Sequence, residues 1–357
     1  MPSAVVQNDA LRVVIVGAGG YSGAELLSIL LAHPGVSVVG LFGSEKRGSG
    51  AAAQTIDEVF PRFRGLCDLP LRPAAIDDIV ALSPSAVFLA TPIGVSHDLA
   101  PALVKAGIVV LDVSAAFRLK DASLYTKHYE FEHSHAEALA RGVYGLPELF
   151  RDAIRSADLI ALPGCYPTSA ILPLAPLVRA GLLARGRRPI VDSVSGVSGA
   201  GRSPALKTHF CEVSLQPYEV LTHRHTPEIG AYAGTPVVFT PHLVAFERGI
   251  LSTIHAELAP GGNRGRVAEV LEAAYSAEPF VRLLPQGQWP SVAAARGTNF
   301  CDIGFAVDEA AGHLILVSAI DNLVKGAAGQ GVQCLNIRFG MPEVMGLLPT
   351  HGQAVPA

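Results

Sequence analysis

The chain has 357 residues, of which half are hydrophobic and only 16% are Asp, Glu, Lys or Arg. This length allows two domains with sizeable cores, and the composition excludes a disordered chain. The 27 Lys and Arg residues are outnumbered by 31 acids, for a formal net charge of −4, so a nucleic-acid partner is not expected.

The cysteine usage and the N-terminal sequence indicate a reducing compartment. The five cysteines are widely spaced and form no CxxC pair, which is not the pattern of a disulfide framework. Residues 1–10 lack a basic segment followed by an apolar one, so no signal peptide is expected. The uncharged stretch 159–178 contains four prolines, which would break a membrane-spanning helix repeatedly. We therefore predict a cytoplasmic protein with no membrane partner.

The first half of the chain alternates β-branched runs with helical patterns. The predicted elements are, in order, strand 11–16, helix 24–33, strand 36–42, strand 86–90, helix 96–106 and strand 108–113. Because the strands are continuous apolar runs separated by helices, they predict a parallel sheet that is covered on both faces.

The second half of the chain has a different pattern, and the change falls near residues 159–164. Its longer predicted strands indicate a mixed or antiparallel sheet; they are 190–194, 237–240, 251–258 and 314–320. Helical patterns cover residues 261–275 and 323–335, and residues 341–357 form a weakly patterned tail.

A glycine-rich turn follows the first predicted strand and leads into the first helix. Glycines let the backbone approach a pyrophosphate, and a helix N-terminus supplies N–H groups and a positive dipole. The glycines at 17, 20 and 23 depart from the GxGxxG spacing, so a tight βα turn in another α/β protein is the alternative. The residues predicted to bind the cofactor here are Gly17, Gly19, Gly20, Tyr21, Ser22 and Gly23, together with Thr91 and Pro92 after the strand 86–90.

The end of the second strand indicates which nucleotide is bound. NAD enzymes usually place an acidic residue there to bind the ribose 2′-hydroxyl. Here Ser44 can donate to a phosphate, and Lys46 and Arg47 can neutralise it, while Glu45 can turn to solvent. The predicted cofactor is therefore NADP(H), and a solvated loop is the alternative.

Cys165 lies in a setting that the other four cysteines lack. It follows the apolar run 159–162 and precedes a helical pattern, and Gly164 and flanking prolines indicate a sharp turn that presents the sulfur. A thiol at a helix N-terminus feels the helix dipole, which favours the thiolate. We therefore predict that Cys165 is a nucleophile, while the other cysteines fit the interpretation of small buried hydrophobes.

A reactive cysteine needs a base, and His223 and His225, on either side of Arg224, are the best candidates. A metal site is the alternative, but a third ligand at recognisable spacing and the HExxH pattern are both missing, so no metal is predicted. A cysteine nucleophile with a nicotinamide cofactor is typical of acylating aldehyde dehydrogenases, which capture a carbonyl and then transfer a hydride. In the reverse direction such an enzyme reduces an acyl phosphate to an aldehyde.

Specific motifs spread over residues 11–340 resemble the N-acetyl-gamma-glutamyl-phosphate reductase family of arginine biosynthesis. They are GAGGYSGAELL (17–27), DVSAAFRL (112–119), YGLPEL (144–149), PGCYPTS (163–169), SGVSGAGR (195–202), HRHTPEI (223–229), GTNF (297–300) and KGAAGQ (325–330). The resemblance implies an α/β fold, with a Rossmann NAD(P)-binding domain and an α+β catalytic and dimerisation domain that contains a mixed sheet. It implies the ranges 11–162 and 163–325 for these two domains, and a helix and tail at 326–357 that return to the Rossmann domain.

The resemblance also implies roles for individual residues. Cys165 matches the nucleophile and the HRH segment matches the acid–base histidine, with His225 favoured over His223, although the motif alone does not separate them. The residues implied in substrate binding are Arg118, Ser195, Gly199 and Arg202. Arg202 is the candidate for the α-carboxylate, and a structural ion pair is the alternative for Arg118. Gly326 and Gln330 are expected near the nicotinamide.

The reaction implied is the NADPH-dependent reduction of N-acetyl-L-glutamyl 5-phosphate to N-acetyl-L-glutamate 5-semialdehyde and phosphate, through a cysteine thioester. The expected assembly is a homodimer or homotetramer. One alternative is a related reductase acting on aspartyl phosphate or on aminoadipyl phosphate bound to a carrier protein. Others are a cysteine hydrolase or acyltransferase, and a non-catalytic NADP sensor.

Overall fold

The computed structural model describes residues 10–43 and 54–348. Contacts divide the chain into two compact units. Unit 1 comprises the residues up to Arg118, Ser134–Leu162 and the residues from Ala328 onward, and unit 2 comprises Leu119–His133 and Pro163–Ala327.

The segment Leu119–His133 differs from the predicted domain ranges, because it belongs to unit 2 and not to the first domain. Leu124, Lys127 and His128 of this segment line a groove together with residues of the helix Thr226–Ala233. The position of this segment beside residues distant in the chain is a tertiary feature, so a local sequence pattern cannot predict it.

The strands are numbered along the chain. They are β1 Leu11–Val16, β2 Val36–Gly43, β3 Leu71–Pro73, β4 Ala86–Leu89, β5 Val109–Asp112, β6 Val143–Tyr144, β7 Leu159–Ala161, β8 Ile190–Gly196, β9 Gln216–Pro217, β10 Val238–Val244, β11 Ile250–Glu257, β12 Val281–Leu283, β13 Cys301–Asp308 and β14 His313–Ile320. The strand β13 lies outside the predicted elements.

The helices are numbered in the same way. They are α1 Tyr21–Leu31, α2 Ile56–Val59, α3 Ile76–Ala81, α4 Ile93–Lys105, α5 Ser123–Tyr129, α6 Ala136–Arg141, α7 Pro147–Ser156, α8 Cys165–Arg179, α9 Thr226–Ala233, α10 Arg264–Tyr275, α11 Val292–Ala295 and α12 Gly329–Arg338. A π-helical turn, Val324–Ala328, precedes α12. Among the described residues, no helix is long and apolar enough to cross a membrane.

Unit 1 contains a parallel sheet with the strand order β3-β2-β1-β4-β5-β7-β6. Its central strands are buried on both faces, since Val14 and Ile15, which point to opposite faces, are both wholly inaccessible to solvent. Helix α12 packs against α1 and α7, so the C-terminal helix belongs to this core. The Rossmann-type α/β fold is confirmed, and the strand order changes direction between β1 and β4, where such sheets bind ligands.

Unit 2 contains a mixed sheet with the order β12-β13-β14-β11-β8-β10-β9, which confirms the predicted second domain type. Along β11 buried and partly buried residues alternate, as in a sheet with one face on the core. The helix α8 packs on β11 and β14 and is buried on nearly every side. Its first fourteen residues are uncharged and mostly apolar, and its buried hydroxyls have hydrogen-bond partners.

Candidate active site

The glycine turn of unit 1 has a shape that only glycine permits at two positions. Gly17 has φ +93°, and a Cβ added there would lie 2.1 Å from the Ala90 carbonyl oxygen. A Cβ on Gly23 would lie 2.3 Å from the Gly17 carbonyl oxygen. The N-cap of α1, Gly20, makes no side-chain capping bond, so the first N–H groups of this helix stay available to an anion.

The other predicted cofactor residues of unit 1 lie in three different settings. Pro92 caps α4 and Thr91 Oγ1 lies 2.8 Å from Ser96 Oγ, at the same edge of the sheet as the glycine turn. The Gln330 side chain is fully buried and its Nε2 donates to the Gly145 carbonyl oxygen at 2.9 Å. The residues predicted to select NADP lie outside the described residues; they are Ser44, Lys46 and Arg47.

Cys165 is the first residue of α8 and is partly buried, with Gly164 as the N-cap. Gly326 lies directly against it, since a Cβ on Gly326 would be 2.7 Å from the Cys165 Cβ. The Gly164 N–H donates to Oε1 of Glu228 at 2.9 Å, and the Glu228 side chain is fully buried. Glu228 therefore holds the turn before the nucleophile. Sequence reasoning missed this residue, although it lies within the HRHTPEI motif.

A cavity of about 300 Å³ opens beside Cys165 in unit 2. It is lined by Cys165, Tyr166, Ser195, Gly199, Ala200, Lys207, Gln216, Tyr218, Glu219, His223, Arg224, His225 and Leu243. Five of the predicted residues thus meet in one place: the cysteine, both histidines, Ser195 and Gly199. Arg202 is partly buried and does not line this cavity.

The two histidines are not equivalent. Both are buried, with ring centres 4.8 Å apart, and the backbone N–H of His225 donates to Nδ1 of His223 at 3.1 Å. Burial, together with the charges of Arg224 and Lys207, lowers the pKa of His223 to about 3. His223 is therefore a neutral imidazole near pH 7, with its proton on Nε2.

Two tyrosines form a hydrogen-bonded pair in the cavity wall. The Tyr218 hydroxyl donates to the Tyr166 hydroxyl at 3.1 Å, which in turn donates to the His242 carbonyl oxygen at 3.3 Å. Burial raises the pKa of Tyr218 to about 12, and burial and the Tyr218 hydroxyl raise the pKa of Tyr166. Both hydroxyls stay protonated near neutral pH and serve as neutral hydrogen-bonding groups.

The cationic side chains of the cavity are Lys207 and Arg224. Both are exposed; Lys207 lies in the 3-10 turn Leu206–Thr208 and Arg224 in the turn before α9. The sequence prediction chose other arginines. Arg118 belongs to unit 1, is buried, and donates from Nε to the Leu162 carbonyl oxygen at 2.7 Å and from Nη2 to the Val113 carbonyl oxygen at 2.8 Å. These contacts fit the alternative in which Arg118 supports the fold, and its role in substrate binding stays a prediction. No local sequence signal could have found Lys207, because its segment has no regular pattern.

Within the described residues, three potential metal ligands of unit 1 come together: His97, Asp98 and His135 have ligand atoms within 4.8 Å of one another. Nδ1 of His97 lies 2.9 Å from Oδ1 of Asp98, and its Nε2 accepts the Ser134 N–H at 3.1 Å. Both ring nitrogens of His97 thus already have hydrogen-bond partners, as in a histidine that serves the fold.

Two family models match the chain. Residues 12–157 match the semialdehyde dehydrogenase NAD binding domain, and residues 165–322 match the semialdehyde dehydrogenase dimerisation domain. Together with the cysteine and histidine cavity, these matches define the class as an oxidoreductase of the semialdehyde dehydrogenase type, with a domain for a nicotinamide cofactor.

The names of curated relatives indicate one family within this class. An N-acetyl-gamma-glutamyl-phosphate reductase from Yersinia pseudotuberculosis is 50% identical over 338 residues, which is 95% of this chain and 100% of that protein. One from Escherichia coli K12 is 49% identical over 340 residues, with the same coverage. The chain belongs to the N-acetyl-gamma-glutamyl-phosphate reductase family.

Solved structures of lower identity share the fold. Aspartate semialdehyde dehydrogenase II from Vibrio cholerae superposes with a TM-score of 0.69 at 20% identity, covering 93% of this chain and 99% of that one. An aspartate semialdehyde dehydrogenase with NADP from Candida albicans has a TM-score of 0.66 at 15% identity, covering 92% and 98%.

Proposed function

We propose that the chain reduces N-acetyl-L-glutamyl 5-phosphate with NADPH to N-acetyl-L-glutamate 5-semialdehyde and phosphate, in arginine biosynthesis. The observation that carries this proposal is the position of Cys165, at the N-terminus of a buried helix and in one cavity with two histidines and two cations. The names of the curated relatives support the choice of substrate.

NADP(H) is the proposed cofactor, and the glycine turn fits it. A Cβ at Gly17 would collide with the Ala90 carbonyl and one at Gly23 with the Gly17 carbonyl, so only glycines allow this tight turn into α1. The N–H groups at the start of α1 are the proposed partners of the pyrophosphate. Thr91 and Pro92 follow β4, which pairs in parallel with β1, so they lie at the same edge of the sheet as the glycine turn. When bound, the nicotinamide supplies the hydride that converts an acyl group to an aldehyde. The preference for NADP over NAD rests on the sequence of Ser44, Lys46 and Arg47.

Cys165 is the proposed nucleophile. Its thiolate forms a bond to the 5-carbonyl carbon, the bond from that carbon to the phosphate oxygen breaks, and phosphate leaves a thioester on the sulfur. Hydride addition to the thioester leaves a thiohemiacetal oxyanion; its carbon–sulfur bond then breaks, which releases the semialdehyde and regenerates the thiolate. The dipole of α8 stabilises the anionic sulfur, and the N–H groups of its first turn can donate to the oxyanion.

His225 is the proposed acid–base residue. It gives a proton to the oxygen of the departing phosphate, and it takes up a proton from solvent before the next cycle. His223 is unsuited to this exchange because its Nδ1 accepts a backbone N–H and its pKa is lowered to about 3 by burial, Arg224 and Lys207. We assign His223 Nε2–H, together with Ser195, to hydrogen bonding of the substrate.

Lys207 and Arg224 are the proposed binding groups for the anionic ends of the substrate, a carboxylate and a phosphate. Both line the cavity beside Cys165, and an arginine can bind either anion with two parallel hydrogen bonds. We further propose a homodimer or homotetramer, in line with the dimerisation-domain model that matches residues 165–322.

The reverse reaction tests the function directly. Purified protein is given NADP, phosphate and one of three semialdehydes, those of N-acetyl-glutamate, aspartate and aminoadipate, and NADPH formation is followed by absorbance. Phosphate-dependent turnover should be at least about a hundredfold higher in kcat/KM for the N-acetyl-glutamate compound, because a site built for its polar groups rejects analogues that leave those groups unpaired. Turnover with another semialdehyde only would refute the substrate, and failure to bind NADPH would favour a hydrolase.

A further inference from the structure

The helix that carries Cys165 contains two prolines in its interior, Pro173 and Pro176. A proline has no N–H to donate to the carbonyl four residues earlier in the helix. The carbonyls deprived of their helical donor are therefore those of Ser169 and Leu172. Both lie in a buried stretch where water cannot replace the missing donor, since Ser169 and Leu172 are wholly inaccessible.

Two side-chain hydroxyls donate to these same two carbonyls. Ser318 Oγ, on β14, donates to the Ser169 carbonyl oxygen at 2.6 Å. The hydroxyl of Tyr275, at the end of α10, donates to the Leu172 carbonyl oxygen. Both donors are buried, and each comes from a different element of unit 2. The hydrogen bonds that the prolines remove inside the helix are thus supplied from outside it.

A chain of serine hydroxyls strengthens the attachment of the helix to the sheet. Ser169 Oγ donates to the Tyr166 carbonyl oxygen at 2.9 Å, so it must accept from Ser252 Oγ at 2.7 Å. Ser252 then accepts from Ser193 Oγ at 2.6 Å. Ser193 and Ser318 each pair with Ser252 across neighbouring strands, so one polar row on the sheet meets the first turns of α8.

The same chain segment that supplies Ser318 also contacts the nucleophile. Gly326, eight residues after Ser318, lies against the Cys165 Cβ, and its N–H donates to the Asp321 carbonyl oxygen at 2.9 Å. Ser169 is one helical turn after Cys165. The segment from Ser318 to Gly326 therefore holds α8 at two points, and a shift of the helix along its axis would break one contact or compress the other.

We propose that Ser318 and Tyr275 are positioning residues for catalysis, which replace the two hydrogen bonds lost at Pro173 and Pro176 and thereby set the place of the Cys165 sulfur. An ordinary helix bonded only to itself could slide on an apolar sheet. Carbonyls that are bonded to fixed side-chain donors cannot slide without leaving buried polar groups unsatisfied. The proposal rests on the proposed function in so far as it treats Cys165 as the nucleophile.

The test is a double-mutant cycle between Ser318 and Pro173. Ser318→Ala should lower kcat, and the rate at which iodoacetamide labels Cys165, each by about tenfold, with KM within about twofold, because a small displacement of a nucleophile reduces rate more than binding. Pro173→Ala restores an N–H at the orphaned carbonyl, so the double variant should recover to within about threefold of the Pro173→Ala chain. Labelling is measured on the peptide that contains Cys165, since Cys211 is exposed.

Ser193→Ala is the matched control. It removes a buried serine hydroxyl of the same row. Because this hydroxyl donates to no carbonyl of α8, Pro173→Ala should not reverse the effect of Ser193→Ala. Ser318→Thr keeps the hydroxyl and should keep the labelling rate. An unchanged rate in Ser318→Ala would overturn the proposal, as would equal recovery of Ser318→Ala and Ser193→Ala.

A second pair of substitutions, at Tyr275 and Pro176, tests the proposal if Ser318→Ala does not fold. Tyr275→Phe should lower the melting temperature and Pro176→Ala should restore it, whereas independent, additive effects would overturn the proposal. Because thiol labelling and melting need no substrate, a protein inactive on every acyl phosphate would refute the proposed function while these cycles still decide the positioning role.

Discussion

The glycine turn of unit 1 and the cysteine cavity of unit 2 are built in opposite ways. The turn is a single run of residues between β1 and α1, and its binding groups are backbone N–H groups. The cavity takes its groups from separated segments, with Cys165 on α8, Ser195 on β8 and Lys207 on the 3-10 turn Leu206–Thr208. A site made of backbone depends on local shape, while a site made of side chains depends on where distant segments meet.

The difference shows in which residues tolerate change. At Gly17 and Gly23 the constraint is steric, because any side chain would occupy the space of a carbonyl. In the cavity the constraint is chemical, since what matters is a thiol, an imidazole or a positive charge at a given place. Substitutions at the two sites should therefore fail in different assays.

Cys165→Ser should give the largest effect, a fall in kcat of about 10⁴-fold, because a serine hydroxyl is a far weaker nucleophile than a thiolate. NADPH affinity, measured by fluorescence titration, should stay within about twofold, since the cofactor turn belongs to unit 1. Cys211→Ser, which changes an exposed cysteine, serves as the control. Full turnover in Cys165→Ser would refute covalent catalysis.

Substitutions of the two histidines should have the next largest effects, and the two effects should differ. His225→Asn should lower kcat by about 10³-fold, the usual range for an acid–base residue, and should remove one limb of the pH–rate profile. His223→Asn should cost about tenfold in kcat/KM and keep the limb, because burial and neighbouring cations lower the pKa of His223 to about 3, below the working range. If His223→Asn were the variant that loses the limb, the assignment would be reversed.

Gly23→Ala tests the backbone site. We expect NADPH affinity to fall by about a hundredfold, because the added methyl collides with the Gly17 carbonyl that shapes the turn. The labelling rate of Cys165 should change by less than about twofold. Gly43→Ala controls for stability, since a Cβ there meets nothing within 4 Å. Unaltered NADPH affinity in Gly23→Ala would mean that this turn is not the cofactor site.

Substitutions of the two cationic side chains of the cavity should have the next largest effects. Lys207→Met and Arg224→Met should each raise the KM for the acyl phosphate by about tenfold, as expected for the loss of a charge-assisted hydrogen bond at an open site. Arg202→Met is the competing variant, since the sequence favours Arg202 for the carboxylate and the structure places Lys207 and Arg224 in the cavity. A larger rise in KM for Arg202→Met would restore the sequence prediction.

The last prediction concerns the dependence of stability on pH. Burial, with help from Arg224 and Lys207, lowers the pKa of His223 from 6.5 to about 3, so between these values the unfolded chain binds a proton that the folded chain does not. The unfolding free energy should therefore fall as the pH decreases through this window, by up to about 1.4 kcal/mol per pH unit from this group. Urea unfolding of His223→Gln should show a shallower fall, and an equal slope in both chains would contradict it.

The elements that the sequence predicted well are those with a strong local signal. The parallel strands of unit 1 follow from continuous apolar runs, and the nucleotide turn follows from glycines between a strand and a helix. The strand β13 was not predicted, although Ile303, Phe305 and Val307 lie at alternate positions, as is typical of a strand. Its place in the sheet, beside β14, is a tertiary feature. The segment Leu119–His133 lies within the predicted first domain and within the NAD binding domain match, while its contacts group it with unit 2. Such contacts are tertiary and leave no local sequence signal.

For the candidate site, the sequence by itself determined the chemistry: a thiol before a helix, a histidine pair and a glycine turn, each readable from a few consecutive residues. The tertiary structure decided which groups meet. Lys207 and Arg224 line the same cavity as Cys165. Arg118 donates to the carbonyls of Val113 and Leu162, and Glu228 accepts the Gly164 N–H. Residue type and local conformation are properties of short stretches of chain, whereas charge, burial and contact at a site depend on residues that only folding makes neighbours.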